Sequence, residues 1–264
     1  MEPKTTAELE LIKDGRIAWL IFNRPQVRNA MTWGMYDALE RHCQALSEDP
    51  DIDVVVLRGS GGEAFVAGTD IKQFANFDTA QQALDYEHRI DRVIGSLESL
   101  GKPTIALIEG FCVGGGAAIA MACDFRYCTP ALRFGVPIAK TLGNCISIAN
   151  ASRLIDLVGA ARAKEVLMLA KLLKAEEAKL AGLVTEVIEP ETIEAEVRQV
   201  AERLSGFAPL TLRASKEEIR RVLDARQPAA GSEEDLIALC YTSRDFKSAV
   251  SAFINKTPHA WLGE

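Results

Sequence analysis

Thr104–Cys128 reads TIALIEGFCVGGGAAIAMACDFRYC, and its pattern decides the fold class. Thr104–Glu109 is an apolar run of strand length. Gly114-Gly115-Gly116 forms a turn that opens an apolar helix over Ala117–Ala122, and Phe125–Cys128 follows as a second strand. Three glycines leave backbone N–H groups uncovered at a helix N-terminus, where an anion or a developing oxyanion is stabilised. The same small residues also let a helix pack tightly on a strand, and the stretch alone leaves both readings open.

Upstream, Leu9–Ile12 and Ile17–Phe22 flank Asp14-Gly15, a hairpin signal, and Asn23-Arg24-Pro25 ends the second strand. A helix is predicted from Thr32 to Ser47, with Met35, Leu39, Cys43 and Leu46 on one face and Thr32 as N-cap. Val54–Leu57 reads as a strand of a sheet buried on both faces, Gly59–Gly62 as a turn and Ala75–Leu100 as mostly helix. Downstream of Arg153 helices dominate: Ala161–Ala170, Ala175–Ala181, Glu191–Ser205, Pro209–Ala225 and Ser232–Phe253, with one short strand at Val184–Ile188. Strand–helix alternation followed by helices describes an α/β core with a C-terminal helical part.

Composition narrows the function classes. The 264 residues are 48% hydrophobic and 25% charged, as in ordinary globular proteins. A net charge of −7 argues against nucleic acid or an anionic membrane as main partner, while leaving anionic small molecules open. MEPKTTAELE has no apolar stretch, so no signal peptide is expected, and no apolar run approaches the length of a membrane span. Six cysteines without CxxC spacing suit reduced thiols of a cytoplasmic protein, and three histidines without HxxxH make a metal site unexpected.

Several segments then fit one pattern in order and spacing. They are Phe22-Asn23-Arg24-Pro25 with Arg28-Asn29-Ala30, Ala64 to Lys72 (AFVAGTDIK), Lys102-Pro103 to Asp124, Phe134-Gly135-Val136-Pro137, Ala181-Gly182-Leu183-Val184, and Ala252 to Lys256 (AFINK). Over nearly its whole length the chain resembles the enoyl-CoA hydratase/isomerase (crotonase) superfamily. The resemblance implies an α/β fold, a crotonase-type spiral of ββα units over residues 1–195, and a C-terminal helical segment, 196–264, that joins subunits of a trimer or a dimer of trimers. It implies an acyl-CoA thioester as ligand, with coenzyme A arriving as part of the substrate and no cofactor bound permanently.

By position in the family motifs, the backbone amides of Thr69 and Gly115 would hold the thioester oxygen as it becomes enolate-like. Thr69 stands where a smaller residue, often Ala, is expected. Arg28 would meet the CoA phosphates, the Ala67–Ile71 backbone (Ala67, Gly68, Asp70, Ile71) the adenine, and Phe253 and Lys256 the CoA from the C-terminus, often that of a neighbouring subunit. Gly114, Ala118 and Ile138 would line the acyl site. For Arg28 and Lys256 a solvated surface charge, and for Phe253 core packing, remain the alternatives.

The chain departs from the family at the proton carriers. Hydratases of the family carry two glutamates, where this chain has Ala118 and Ile138, and a one-residue shift at the second position reaches only Ala139. Neither side chain transfers protons, so the usual two-glutamate addition of water has no carrier here. Leu142-Gly143-Asn144-Cys145 is similar to a segment in which the aryl-CoA dehalogenases carry an acidic nucleophile. Cys145 is therefore a candidate nucleophile, against the alternative of a small cysteine in an apolar site. Asp85, Glu87 and His88 follow on a helix that lines the acyl pocket in the family, as a base or as a solvated face. Glu109 and Asp124 read as structural, Asp124 capping nearby backbone donors. Three functions stay open: a hydratase or isomerase with a non-standard acid/base, other enolate chemistry (decarboxylation, thioester hydrolysis or C–C cleavage), and a non-catalytic acyl-CoA-binding protein.

Overall fold

The computed structural model describes residues 7–75, 77–229 and 231–264. β1 (Leu9–Asp14) and β2 (Ile17–Phe22) pair antiparallel around Gly15, whose φ of 57° suits the tight turn. α1 (Trp33–Glu48) crosses to β3 (Val54–Gly59), which lies parallel to β2. Thr32 caps α1, its hydroxyl accepting from the Met35 amide at 3.2 Å.

From β3 onward the chain repeats one step. β3 is followed by β4 (Ala64–Val66) and α2 (Ala80–Glu98). β5 (Thr104–Ile108) is followed by β6 (Phe111–Val113) and α3 (Gly115–Ala122). β7 (Phe125–Cys128) is followed by β8 (Arg133–Gly135), α4 (Ile138–Thr141), α5 (Ile148–Met168) and α6 (Ala175–Leu180), before β9 (Glu186–Val187). The first strand of each step extends a six-stranded sheet in the order β1-β2-β3-β5-β7-β9. The second extends a three-stranded parallel sheet, β4-β6-β8. This is the spiral of ββα units.

Both faces of the larger sheet are covered, which is why its strands read as continuous apolar runs. Ala18, Leu20, Phe22, Val55, Leu57, Ala106 and Ile108 share a core with α1, α2, α3 and the smaller sheet. The alternate residues Ile17, Trp19, Val54, Val56, Ile105 and Leu107 pack on Ile193, Val197, Ala201 and Leu204 of α7 (Ile193–Ser205). The period of two along each strand thus divides the side chains between two cores, each fully buried Leu or Ile contributing roughly 1.5–3 kcal/mol.

Past α7, α8 (Pro209–Asp224) has no buried residue and exposes Leu210, Ile219 and Val222. α9 (Glu234–Thr242) and α10 (Arg244–Asn255) fold back on α2. Their Ile237, Tyr241, Phe246 and Val250 form a third core with Phe74, Ala83 and Leu142 of the same chain.

The structure differs from the expected elements in three places. Ser232–Phe253 is two helices, because Ser243 leaves helical geometry (φ −61°, ψ 151°) and its hydroxyl accepts from the Phe246 amide at 3.0 Å as N-cap of α10. The helix expected from Ala161 begins at Ile148 and breaks only at Gly159 (φ 74°). The smaller sheet is an addition: strands of three residues are too short to show a period. Asp124 holds the end of β5 as expected, accepting from the Thr104 amide (2.7 Å) and hydroxyl (2.9 Å) and from Lys216 (2.9 Å). Arg126, buried at the C-terminal end of α3, donates to the carbonyls of Ala120, Cys123, Asp124 and Leu183 and satisfies the helix's last acceptors.

Candidate active site

The loop after β4 and the glycine turn before α3 meet at one end of a cavity of about 240 Å³. Its wall continues over α2, the segment Val136–Ile146 and Phe253 of α10. Each glycine of the turn has its own cause. Gly114 has φ 55°. A Cβ on Gly115 would overlap the Tyr36 hydroxyl, and one on Gly116 would overlap the Val66 carbonyl. The tight-packing reading of the run therefore holds for its last two residues.

The run also leaves donors free. Met31 donates to the Gly68 carbonyl (2.8 Å) and Asp70 donates to the Met31 carbonyl (2.9 Å), so the bonding passes over the Thr69 N–H. Gly115 is the first residue of α3, whose first return bond runs from Ala118 to the Gly114 carbonyl at 3.1 Å. Among the described residues neither the Thr69 nor the Gly115 amide has a backbone acceptor. The two segments lie side by side, since a Cβ on Gly115 would stand 3.4 Å from Thr69 Oγ1.

The Thr69 side chain, unassigned by sequence, hydrogen-bonds both the Tyr36 hydroxyl (2.8 Å) and the Tyr86 hydroxyl (3.0 Å). It ties the loop to α1 and α2. Burial pushes both phenols up, so both stay neutral.

Glu87 departs most from expectation. It is 5% exposed and lines the cavity, so the solvated-face alternative does not hold for it. The Tyr241 hydroxyl donates to its Oε1, and Asn144 Nδ2 donates to that hydroxyl at 3.0 Å. Burial raises its carboxyl to about 8. The Tyr241 hydrogen bond and the Ser147 amide oppose the rise, and Asp91 and Glu233 add to it. The periodicity of α2 carried the signal: Ala83, Glu87, Ile90 and Ile94 share its buried face. Its helical neighbours behave as solvated residues. Asp85 accepts from Gln81 at 2.8 Å, and His88 lies 3.6 Å from Glu234 at the surface.

This burial sets a pH dependence. Between the ordinary carboxylate value, which applies to the unfolded chain, and about 8, the folded state holds the Glu87 proton and the unfolded state does not. Stability therefore falls as pH rises through that window. Glu87→Gln should remove this component, so its melting temperature should gain on wild type steadily from pH 5 to pH 8. A pH-independent difference between the two would contradict a buried protonated carboxyl.

Of the other residues singled out by sequence, Ala67, Gly68, Ile71, Gly114, Ala118, Ile138, Cys145 and Phe253 line the cavity together with Thr69 and Gly115. Phe253 does so from the same chain. Arg28, Asp70 and Lys256 are not in the wall. The Arg28 guanidinium stacks on Phe111, 4.7 Å from the ring centroid. The Asp70 carboxylate is held by Arg24 at 3.3 Å. Lys256 ends α10 in left-handed geometry. Cys145 lacks what a nucleophile needs: burial, Cys240 and Glu87 push its thiol up, and it donates to the Leu236 carbonyl at 3.7 Å. Among the described residues no cluster of three metal-ligating side chains occurs, and no helix is long and apolar enough to cross a membrane.

The sequence model of the family described as "Enoyl-CoA hydratase/isomerase" matches residues 13–264. A crotonyl-CoA hydratase of Syntrophomonas wolfei is 34% identical over 247 residues, covering 93% of this chain and 94% of its own. The crystal structure of an enoyl-CoA hydratase/carnithine racemase from Magnetospirillum magneticum superposes with a TM-score of 0.80 at 32% identity, covering 98% and 97% of the two chains. A methylmalonyl-CoA decarboxylase in complex with 2-nitronate-propionyl-CoA shares the fold, with a TM-score of 0.87 at 24% identity over 97% and 98% of the chains. With the ββα spiral and the glycine turn in place, matches of this extent make the chain a member of the enoyl-CoA hydratase/isomerase family, within the crotonase superfamily.

Proposed function

We propose that the protein is an enzyme acting on an acyl-CoA thioester, and that the amides of Thr69 and Gly115 hold the thioester oxygen while the acyl group passes through an enolate. One observation carries this reading: two adjacent backbone N–H groups without acceptors meet at one end of a largely apolar cavity. Such donors act where charge develops, and each contributes about 10²–10³ in rate. The dipole of α3 adds to the Gly115 donor. In this reading Arg28, the Ala67–Ile71 segment and Lys256 meet coenzyme A, which comes and goes with the substrate. A trimer or dimer of trimers belongs to the same reading, supported by the exposed Leu210, Ile219 and Val222 of α8.

Ala118 and Ile138 favour a second reading, enolate chemistry other than water addition. In a decarboxylation the departing carboxylate leaves its own electron pair, so no base is required at either position. Crotonyl-CoA hydration at high enzyme concentration, beside calorimetric binding of the same ligand, separates the readings. Binding with turnover supports hydratase or isomerase chemistry. Binding without turnover moves the assignment to decarboxylation, thioester hydrolysis or C–C cleavage, tested with malonyl- and β-ketoacyl-CoAs, and inertness toward these as well moves it to a non-catalytic acyl-CoA-binding protein. Absence of binding would remove the acyl-CoA assignment.

Ala118 and Ile138 both face the cavity, so Ala118→Glu combined with Ile138→Glu is expected to create water addition to crotonyl-CoA above the wild-type level. The new carboxyls will titrate high in an apolar wall, so the gain should grow from pH 7 to 9. A folded, CoA-binding double variant with no gain would show that these positions do not address the reacting carbons.

A further inference from the structure

We infer that Glu87 is the proton-transfer residue of this site, taking a proton from the carbon beside the thioester and returning it. The inference rests on the acyl-CoA reading above. Among the described residues Glu87 is the one carboxyl in the cavity wall. It comes from α2, not from either position where the family's hydratases carry glutamates, and it lines the same cavity as Thr69 and Gly115.

The other candidates are occupied or turned away. The Tyr86 hydroxyl is bonded to Thr69. The Cys145 thiol is engaged with the Leu236 carbonyl. Asp91 is outside the wall and accepts from Ser147 (2.6 Å) and Asn150 (3.3 Å). Glu233 accepts from the Ile148 amide at 3.1 Å and is also outside the wall.

The hydrogen-bond chain orients the carboxyl. Asn144 donates to the Tyr241 oxygen, which directs the Tyr241 proton to Glu87 Oε1. The Glu87 ionisation, raised into the neutral range by burial, lets one group act as base and then as acid. In the step the C–H bond at the carbon beside the thioester breaks and its proton passes to the Glu87 carboxylate. The C–H pair becomes the enolate double bond, and the carbonyl pair moves to the oxygen held by Thr69 and Gly115. Return of the proton, to the same carbon or to one conjugated with it, reverses the sequence without any further reactant.

The test is exchange of the α-protons of butyryl-CoA for deuterium, followed by NMR, with calorimetric binding on the same samples. Wild type should bind and exchange, the rate rising with pH through the Glu87 ionisation. Glu87→Gln should bind equally and lose exchange by about 10²-fold or more, with Glu87→Asp recovering part of it. Tyr241→Phe removes a donor that favours the carboxylate, so its pH profile should move upward, and this readout stands if Glu87→Gln does not fold. The titratable groups facing Glu87 are Tyr86 and Asp91 on its own helix, Tyr36 of α1, Cys145, Glu233 and Tyr241, and none of them other than Tyr241 is altered in these variants. Undiminished exchange in Glu87→Gln, an unmoved profile in Tyr241→Phe, or wild-type binding without exchange would each overturn the assignment of Glu87 while leaving the acyl-CoA site. Failure of wild type to bind butyryl-CoA would overturn the acyl-CoA reading and this inference together.

Discussion

Gly115→Ala is expected to lower turnover of a bound acyl-CoA by about 10²–10³-fold, the value of one oxyanion donor, with little change in CoA affinity. The new Cβ would overlap the hydroxyl of Tyr36, which is fully buried and tied to Thr69 at 2.8 Å. The phenol has no space to withdraw, so the first turn of α3 must shift and carry the Gly115 amide with it. A misplacement of about 1 Å at a reacting centre costs on the order of 10² in rate. Most of the CoA would be gripped outside the glycine turn, so calorimetric affinity should survive. Adding Tyr36→Phe to Gly115→Ala removes the overlapped oxygen and should restore part of the rate. An unimpaired Gly115→Ala enzyme would refute the placement of the oxyanion at this amide.

Asn29→Ala is expected to destabilise the fold by about 3 kcal/mol or more, measured by denaturant unfolding. Asn29 is fully buried and serves three backbone groups. Its Oδ1 accepts from the Arg24 amide at 2.9 Å, and its Nδ2 donates to the carbonyls of Ser60 (3.0 Å) and Ala64 (2.8 Å). Alanine leaves all three without that partner, each at roughly 1–3 kcal/mol where no water enters. The position also has φ 56°, where alanine costs about 1–2 kcal/mol. Asn29→Gly removes the backbone cost but not the lost bonds, so it should fall between wild type and Asn29→Ala. The effect reaches the site, because the Arg28 carbonyl accepts from the Ala67 amide at 3.0 Å and so holds the segment leading to Thr69. A loss below about 1 kcal/mol would mean that the loop relaxes to satisfy these groups in another way.

Legibility in the sequence followed the range of each interaction. Hairpin, caps and apolar faces depend on residues a few positions apart, so β2, α1 and α7 fall within two residues of their expected bounds. The three-residue strands β4, β6 and β8 gave no periodic signal, because pairing between distant segments defines them. The candidate site divides the same way. Thr69, Gly115, Ala118 and Ile138 belong to collinear motifs and were named from them. Glu87 occupies a buried position of α2 with no motif around it, and its neighbours Asp85 and His88 are solvated. A carboxyl on an apolar face was the available sign.

By itself, the amino-acid sequence determined the family and the α/β spiral, because these are matters of residue type in order along the chain. The tertiary structure alone decided the surroundings of the polar groups at the cavity. Thr69 is clasped by two tyrosines from different helices, Cys145 is kept as a thiol, and Glu87 is enclosed by α2, Tyr241 of α9 and the Asn144 loop. A group's burial, and hence its charge state, is set by everything packed around it, and those neighbours come from segments up to 154 residues away in the chain.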